Sequence, residues 1–298
     1  MKNSIHINNL NELPIIEHEM NEMRKKVSCI IVNCHEAIAQ FSSAIYLDAF
    51  ITVLVLSGKG TVNVNYRSYP LRTDTLLLLS SAHLFHFCNC TSDFKCLCLF
   101  VSREFVDEMD STDMIYKRVK YGVRLYNTPV ILLNRVNAAS LSKRIFAIDH
   151  EMTRVDHFYY KDIILNSLFA FYLDLSNIIE RDVVVHSGGD LTRYESVINS
   201  FIELLAVYYR SEHKVDFYAS KLNLSAHYLT QIVKRITGQS VSDFIFEMLY
   251  SEARNLLIHS RLSVQEIAGV LNFSDQSSFG KFFKRKAGIS PVDFRKEY

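Results

Sequence analysis

The feature that most constrains the fold of this chain is an internal repeat in its C-terminal third. The stretch SAHYLTQIVKRITGQS begins at Ser225, and the similar stretch DQSSFGKFFKRKAGIS begins at Asp275, at an offset of 50 residues. Each copy begins with a residue that caps helices well and ends with a glycine suited to the position after a helix. The matching pairs are Ser225/Asp275, Leu229/Phe279, Val233/Phe283, Lys234/Lys284, Arg235/Arg285, Gly238/Gly288 and Ser240/Ser290.

A shorter match lies just before each copy. Ala219 and Leu222 precede the first copy as Ala268 and Leu271 precede the second. The pattern predicts a short helix with a small central residue, a tight turn and a second helix of about 12 residues, which is the helix-turn-helix layout. We expect the two motifs at about residues 216–237 and 264–287, joined by a helix over about 241–258.

The second helix of each motif has one apolar face and one polar face. Its inward residues are predicted to be Leu229, Ile232, Val233 and Ile236 in the first motif, and Phe279, Phe282 and Phe283 in the second. The outward residues are Ala226, His227, Thr230, Gln231, Lys234 and Arg235, and then Gln276, Ser277, Ser278, Gly280, Lys281, Lys284 and Arg285. No acidic residue occurs at 225–238 or at 276–290. A solvated helix face can also carry Lys and Arg, but two such faces in register favour phosphate binding and base recognition.

Taken as a whole, the charge of the chain argues against a nucleic-acid partner. The 298 residues include 33 Lys and Arg against 32 Asp and Glu, whereas phosphate binding needs clustered positive charge. Residues 191–298 hold 14 of the basic and 11 of the acidic residues, which leaves 19 and 21 for residues 1–190. The even balance therefore hides a C-terminal part with a net charge of +3 and an N-terminal part with a net charge of −2.

The N-terminal half has the alternating pattern of β-strands. From about residue 28 to 101, short apolar runs are separated by turn residues, and the Gly58-Lys59-Gly60 segment is predicted to turn a hairpin. This pattern indicates an antiparallel β-sandwich or barrel. From about 134 to 181, apolar residues recur every three or four positions and predict two amphipathic helices, which either mediate dimerisation or cover the open face of the barrel.

The fold class is therefore predicted to be α+β with two domains. We expect an N-terminal β-domain with its helices at 1–181, a linker at 182–190 and an all-α domain at 191–298. Ser187-Gly188-Gly189 is the Gly-paired stretch that marks the linker. Capping boxes are predicted at Thr192 with Glu195 and at Ser263 with Glu266. The polar N-terminal sequence and the absence of 18 consecutive apolar residues predict a cytoplasmic protein that does not enter a membrane.

The cysteines offer a second interpretation of the N-terminal half, a thiol-based sensor. Four of the six lie in CNCTSDFKCLC, and in a reducing compartment free thiols or a metal site are favoured over disulfides. If residues 84–90 and 96–101 form a hairpin, Cys88, Cys90, Cys96 and Cys98 share one face with His86, while Phe85, Phe87, Leu97 and Leu99 share the other. That face would be a thiolate metal or redox sensor, or simply part of the core, which is the preferred interpretation. His83 and His86 lack the pattern of an enzymatic metal site.

The helical C-terminal part resembles the DNA-binding domain of the AraC/XylS family of bacterial transcription regulators. The most specific stretch is NFSDQSSFGKFFKRKAGISPVDFRK, residues 272–296, including Gly288, Pro291 and the Phe294-Arg295 pair. The first motif matches at Ala219, Ser225, Leu229, Lys234, Gly238, Ala253, Leu256 and Leu257. Three positions depart from the family pattern, namely Asn272 in place of Gly, Leu249 in place of Arg, and His227 in place of a larger or basic residue.

The resemblance implies that the two recognition helices enter successive major grooves on one face of the DNA, about 34 Å apart. Carried over by position, the base-reading residues are His227, Thr230, Gln231, Gln276, Ser277 and Lys281. The implied phosphate contacts are Lys234, Ser278 and Lys284, and Arg235 and Arg285 complete the basic surface. Because Asn tolerates the left-handed conformation, the turn at Asn272 is expected to form.

The N-terminal half is loosely similar to the cupin-like sensor domains of this family. The resemblance implies a transcription activator that binds double-stranded promoter DNA, contacts RNA polymerase, responds to a small-molecule effector and acts as a homodimer. No cofactor and no catalytic residue are expected. The alternatives are a DNA-binding regulator controlled by a protein partner or by its thiol or metal state, and a cupin-type enzyme.

Overall fold

The computed structural model describes residues 5–7, 10–13, 22–109, 128–186 and 193–297. Within them the chain divides into two compact units, one drawn from residues 1–190 and the other comprising the described residues after Leu191. The predicted linker glycines and Thr192, the start of a predicted capping box, lie outside the described residues.

The first unit contains two open five-stranded sheets. Its strands are β1 (Ile5–Ile7), β2 (Val27–Asn33), β3 (Ile45–Leu47), β4 (Ala49–Ser57), β5 (Lys59–Val64), β6 (Arg67–Arg72), β7 (Thr75–Leu79), β8 (Phe85–Cys90), β9 (Lys95–Ser102) and β10 (Val130–Leu132). The first sheet has the order β1-β3-β8-β5-β6 and the second has the order β10-β7-β4-β9-β2. All neighbouring strands are antiparallel except β1 and β3.

The described residues of the same unit also form the α-helices α1 (Cys34–Phe41), α2 (Arg103–Met109), α3 (Arg135–Met152) and α4 (Tyr160–His186). The two helices predicted within 134–181 are confirmed as α3 and α4, and α4 continues to His186. Strands β1 and β10 and the short helix α1 were not predicted, because segments of three to eight residues carry little periodic signal.

The second sheet is buried on both faces, whereas the first has an exposed face. One core cluster lies between the sheets and includes Val53 and Cys98 from the second and Phe87 from the first. On its opposite face, the second sheet packs Leu97 and other residues against the apolar stripes of α3 and α4. This explains why β7 and β9 read as continuous apolar runs, whereas β5 alternates buried with partly exposed residues.

The prediction that Gly58-Lys59-Gly60 turns a hairpin is wrong. Gly58 has the expected positive φ of 75°, but β4 belongs to the second sheet and β5 to the first, so this segment is a corner between sheets. The observed hairpin is β5–β6, whose turn places Asn65 and Tyr66 at φ values of 49° and 66°. A glycine reports the backbone conformation of a turn but not which strands pair on either side of it.

Helix α4 also satisfies the length and composition of a membrane span. Among the described residues, Tyr160–Arg181 is the one segment that does, with a mean hydropathy of 1.3. Its apolar stripe is nevertheless buried against α3 and the second sheet, with Leu168 and Phe171 fully inaccessible. The residues of that stripe belong to the core of the first unit.

The second unit is helical. Its described elements are α5 (Arg193–Tyr208), α6 (Val215–Lys221), α7 (Ala226–Thr237), α8 (Val241–His259), α9 (Val264–Val270), α10 (Gln276–Ala287) and α11 (Pro291–Glu297). Its core combines aliphatic residues around α7 with an aromatic cluster around α10, in which Phe279 and Phe283 are fully buried. Buried residues of both repeated segments thus contribute to this core.

Candidate DNA interface

The first helix-turn-helix consists of α6, a tight turn and α7. Ala219 is buried at the centre of this pair, and its carbonyl oxygen accepts from the backbone N–H of Leu224 at 2.9 Å. Asn223 makes the turn with a φ of 55°. Ser225 caps α7 by accepting from the N–H of Tyr228 at 3.2 Å, and Gly238 ends the helix at a φ of 78°. These local contacts and backbone conformations determine where α7 begins and ends.

The second helix-turn-helix, formed by α9 and α10, repeats this geometry. The carbonyl oxygen of Ala268 accepts from the N–H of Phe273 at 2.9 Å, and Asn272 has a φ of 55°. The left-handed turn expected at Asn272 is therefore confirmed. Asp275 caps α10 by accepting from the N–H of Ser278 at 2.7 Å, and Gly288 ends the helix at a φ of 78°.

The residue pairs of the internal repeat predicted from the sequence do not include Asn223 and Asn272, although the two residues occupy equivalent turns. The signal was present in the segments LNLS and LNFS, residues 222–225 and 271–274, where Leu and Asn occupy matching positions. Both asparagines adopt the conformation that otherwise favours glycine. The predicted capping box at the start of α9 is confirmed, because Ser263 and Glu266 each accept from the backbone N–H of the other.

The predicted inward and outward faces are as expected from the pattern. The inward residues Leu229, Ile232, Val233, Ile236, Phe279, Phe282 and Phe283 are buried. Nine of the proposed contact residues are exposed, namely His227, Gln231, Lys234, Arg235, Gln276, Ser277, Lys281, Lys284 and Arg285, while Thr230 and Ser278 are partly exposed. The Ser278 hydroxyl donates to the Asp275 carboxylate at 3.1 Å, so this side chain is held within the cap.

The outward faces are positive and have few nearby acids. No described carboxylate forms an ion pair with Lys234, Lys281 or Lys284. The nearest acid at the start of α10 is the capping residue Asp275, whose pKa is lowered chiefly by the hydrogen bond from the Ser278 backbone N–H. The basic groups are therefore available to an anionic partner, which is what phosphate contact requires.

Helix α8 connects the motifs and holds buried polar groups on its inner side. Glu252 accepts from the Arg210 guanidinium at 2.7 Å, and Glu247 accepts from the side-chain amide of Gln239. Leu249, which stands where the family often has Arg, is fully buried. Sequence reasoning missed Phe246, on the outer side of α8. The Arg285 guanidinium lies over the Phe246 ring, with its Cζ 5.4 Å from the ring centroid.

The predicted four-cysteine face does not form. Strand β8 pairs with β3 and β5 in the first sheet, while β9 pairs with β2 and β4 in the second, so the β8–β9 hairpin is wrong. Cys90 forms a disulfide with Cys34, Cys88 is exposed, and Cys96 and Cys98 are buried between the sheets. The chain crosses between sheets after Cys90, which separates residues that a hairpin would have paired.

The separated thiols and histidines do not assemble a metal site among the described residues. The Sγ atoms of Cys96 and Cys98 lie 3.7 Å apart, and their hydrogen bond, together with burial, raises the pKa of Cys98. His83 Nδ1 accepts from the Ser80 N–H at 3.0 Å, and His86 Nε2 lies 3.2 Å from the side-chain amide of Asn63. Cys96 and Cys98 are thus part of the core, the interpretation favoured from the sequence for the cysteine face.

Comparison with known proteins agrees with the repeated geometry. A family model described as a helix-turn-helix domain matches residues 218–297. The Msm operon regulatory protein of Streptococcus mutans is 24% identical over 255 residues, which cover 84% of this chain and 85% of that protein. Residues 218–297 are therefore a helix-turn-helix domain of the AraC/XylS type.

Two further matches cover parts of the chain. The transcriptional activator RhaR of Escherichia coli is 24% identical over 163 residues, which cover 55% of this chain and 56% of RhaR. The solved C-terminal domain of the response regulator yesN from Fusobacterium nucleatum is 26% identical, covers 34% of this chain and 98% of that chain, and has a TM-score of 0.32. The chain is a transcription regulator with a DNA-binding domain, not an enzyme.

Proposed function

We propose that the chain is a sequence-specific transcription activator whose helices α7 and α10 bind promoter DNA. The observation that carries this proposal is the pair of capped helices with exposed polar faces, on which no described carboxylate forms an ion pair with Lys234, Lys281 or Lys284. His227, Thr230, Gln231, Gln276, Ser277 and Lys281 read base edges. Lys234, Ser278 and Lys284 contact phosphates, with Arg235 and Arg285 beside them.

The two motifs carry different numbers of basic residues. Helix α10 carries Lys281, Lys284, Arg285 and Lys286, whereas α7 carries Lys234 and Arg235. Each phosphate contact contributes about 0.9 to the slope of log affinity against log salt. The second motif therefore supplies at least as much of the phosphate binding as the first.

Selection of bound DNA from a random pool by the full-length protein tests the function. We expect enrichment of one sequence at a salt concentration that suppresses nonspecific binding, and failure to enrich any sequence would contradict the proposal. On the enriched duplex, Lys284→Ala should lower the salt slope by about one. If Lys234→Ala lowers the slope and Lys284→Ala does not, the ranking of the two motifs is wrong.

The first unit acts in this proposal as a cupin-like sensor of a small molecule within residues 1–181, and the DNA-binding domain spans 191–298. The linker expected at 182–190 begins within α4, which continues to His186. Similarity to the Msm operon regulatory protein over 84% of the chain supports a shared N-terminal half. Helices α3 and α4 also expose the apolar residues Val136, Phe146, Phe169 and Leu173, which supports dimerisation through them. A dimer places two DNA-binding domains at roughly millimolar effective concentration.

In this scheme the regulator works in the cytoplasm as a homodimer and contacts RNA polymerase. Sedimentation of the purified chain tests the oligomeric state, and Phe146→Glu should convert a dimer to a monomer. Thermal shifts with candidate metabolites test the sensor. A monomeric wild-type chain at micromolar concentration would contradict the proposed dimer.

A second candidate is control by thiol state, which the Cys34–Cys90 disulfide favours. The bond joins the start of α1 to the end of β8, and both cysteines are partly exposed. Affinity for the enriched duplex, measured with and without a dithiol reductant, tests this candidate. Equal affinities in both conditions would exclude it.

A further inference from the structure

The guanidinium of Arg285 rests on an aromatic surface that belongs to a different helix. Arg285 extends from the exposed flank of α10, and its Cζ lies 5.4 Å from the centroid of the Phe246 ring on α8. Phe246 is 37% exposed, and its ring also packs against Phe282 with the centroids 6.0 Å apart. The partly exposed Phe246 ring thus packs against the core residue Phe282 and also lies under the Arg285 guanidinium.

The repeat provides an internal comparison. Arg235 occupies in α7 the position that Arg285 occupies in α10, and it is equally an exposed flanking residue. Within the described part of the chain, no aromatic ring lies under the Arg235 guanidinium. The two arginines therefore have the same place in their motifs but differ in whether a ring restrains them.

A cation–π contact restrains a guanidinium without using its hydrogen-bonding capacity. The attraction acts between the positive charge and the ring face, so it occupies none of the five N–H donors. An unrestrained Arg loses side-chain freedom when it binds, and an Arg held over a ring has lost part of that freedom already. Flanking residues of a recognition helix are suited to phosphates, because the phosphate backbone borders the groove.

We propose that Phe246 is a positioning residue for DNA binding, whose ring holds the Arg285 guanidinium so that its N–H donors bind a phosphate beside the groove entered by α10. The proposal rests on the proposed function, because it assumes that α10 faces DNA. It extends the interface to a residue of the connecting helix that does not itself touch DNA. It also predicts that the two halves of the repeat hold their flanking arginines differently.

A double-mutant cycle on full-length protein and the enriched duplex tests the coupling. A cation–π contact at an exposed site corresponds to about a two- to fivefold change in affinity, so Phe246→Leu should weaken binding by that factor. In an Arg285→Ala background the same change should have no further effect. In an Arg235→Ala background it should keep its full effect, which makes Arg235 the matched control.

Two further variants separate positioning from folding. Phe246→Tyr keeps an aromatic face and should restore the affinity that Phe246→Leu loses, whereas a purely structural defect would depend on volume alone. Arg285→Lys leaves the core untouched and keeps a cation that can also lie over an aromatic ring, so Phe246→Leu should still weaken binding in this background. Unfolding curves of each variant show whether the second unit remains as stable as the wild type.

The outcomes distinguish failure of this inference from failure of the proposed function. If Arg285→Ala lowers the salt slope by about one but Phe246→Leu weakens binding equally in both backgrounds, the interface stands and Phe246 does not position Arg285. An affinity for Phe246→Tyr as low as that of Phe246→Leu has the same meaning. If neither Arg285→Ala nor Lys284→Ala changes the slope, α10 does not face phosphates and the proposed interface itself is wrong.

Discussion

Replacing Gly58 with alanine should destabilise the first unit far more than the backbone conformation alone would suggest. Gly58 has a φ of 75°, and a Cβ built there would lie 2.5 Å from Cα and 2.6 Å from N of Phe94. Phe94 is fully buried, so the added methyl group must displace backbone rather than the end of a flexible side chain. The sheet corner at Gly58 therefore depends on the absence of a side chain.

The size of the effect follows from the contacts at this corner. A left-handed conformation costs an alanine about 1–2 kcal/mol. The turn before Phe94 is also held by three hydrogen bonds, from Ser57 Oγ to Asp93 O at 2.7 Å, from Lys59 N to Thr91 Oγ1 at 2.9 Å and from Thr91 N to Lys59 O at 2.8 Å. If displacement weakens each bond by about 1 kcal/mol, the total loss is about 4–5 kcal/mol.

Gly288 provides the matched control, because it has a similar φ of 78° with no heavy atom within 4 Å of a built Cβ. Gly288→Ala should cost about 1–2 kcal/mol, and Gly288→Asn should recover part of this loss because Asn tolerates the left-handed region. At Gly58, Asn should recover only the part of the loss that comes from the left-handed conformation, since it carries the same Cβ as Ala and meets the same Phe94 backbone. Urea-dependent hydrogen exchange, read peptide by peptide, gives the unfolding free energy of each unit separately. A Gly58→Ala loss no larger than the about 1–2 kcal/mol of the left-handed conformation, or recovery of most of the loss by Gly58→Asn, would refute the reasoning.

Three further changes have defined expectations. Cys34→Ser opens a disulfide with a sequence separation of 56 residues, and it should lower the unfolding free energy of the first unit by up to about 4 kcal/mol in non-reducing buffer, while the control Cys88→Ser leaves it unchanged. Ser263→Ala removes the capping box of α9 and should cost the second unit about 1 kcal/mol, measured by the same hydrogen exchange; a cost near zero would show that the cap is dispensable. The pKa of Asp275 is lowered in the folded chain by the Ser278 N–H, so its contribution is present above the unfolded pKa of about 3.9 and is lost as pH falls through the lower folded pKa. Asp275→Asn keeps a capping oxygen that does not titrate, so the acid-induced loss of helical circular dichroism should become shallower, and an unchanged acid profile would contradict this account.

The ends of helices α7 and α10 could be predicted because the signals that set them are local. Ser225 and Asp275 cap the helices that follow them, and Gly238 and Gly288 end those helices, each through contacts within four residues. The apolar spacing then identified which face would be buried. Such features survive in the folded unit because the tertiary packing requires the same ends and faces that the local sequence favours.

The pairing of the strands could not be predicted in the same way. The cysteine prediction assumed that consecutive strands β8 and β9 form a hairpin, yet they belong to different sheets. The alternation of residues along a strand tells which side chains share a face but not which strand lies beside it. The Cys34–Cys90 disulfide likewise joins residues 56 positions apart, a separation that no local pattern reports.

The sequence by itself determined two capped, amphipathic recognition helices, their polar faces and the division into a β-rich half and a helical half, because these depend on periodicity and on contacts within a few residues. The tertiary structure alone decided that α3 and α4 cover the second sheet, that Cys96 and Cys98 lie in the core, and that the ring of Phe246 meets Arg285. Those contacts join residues far apart in the chain, and they form only when packing brings separate elements together.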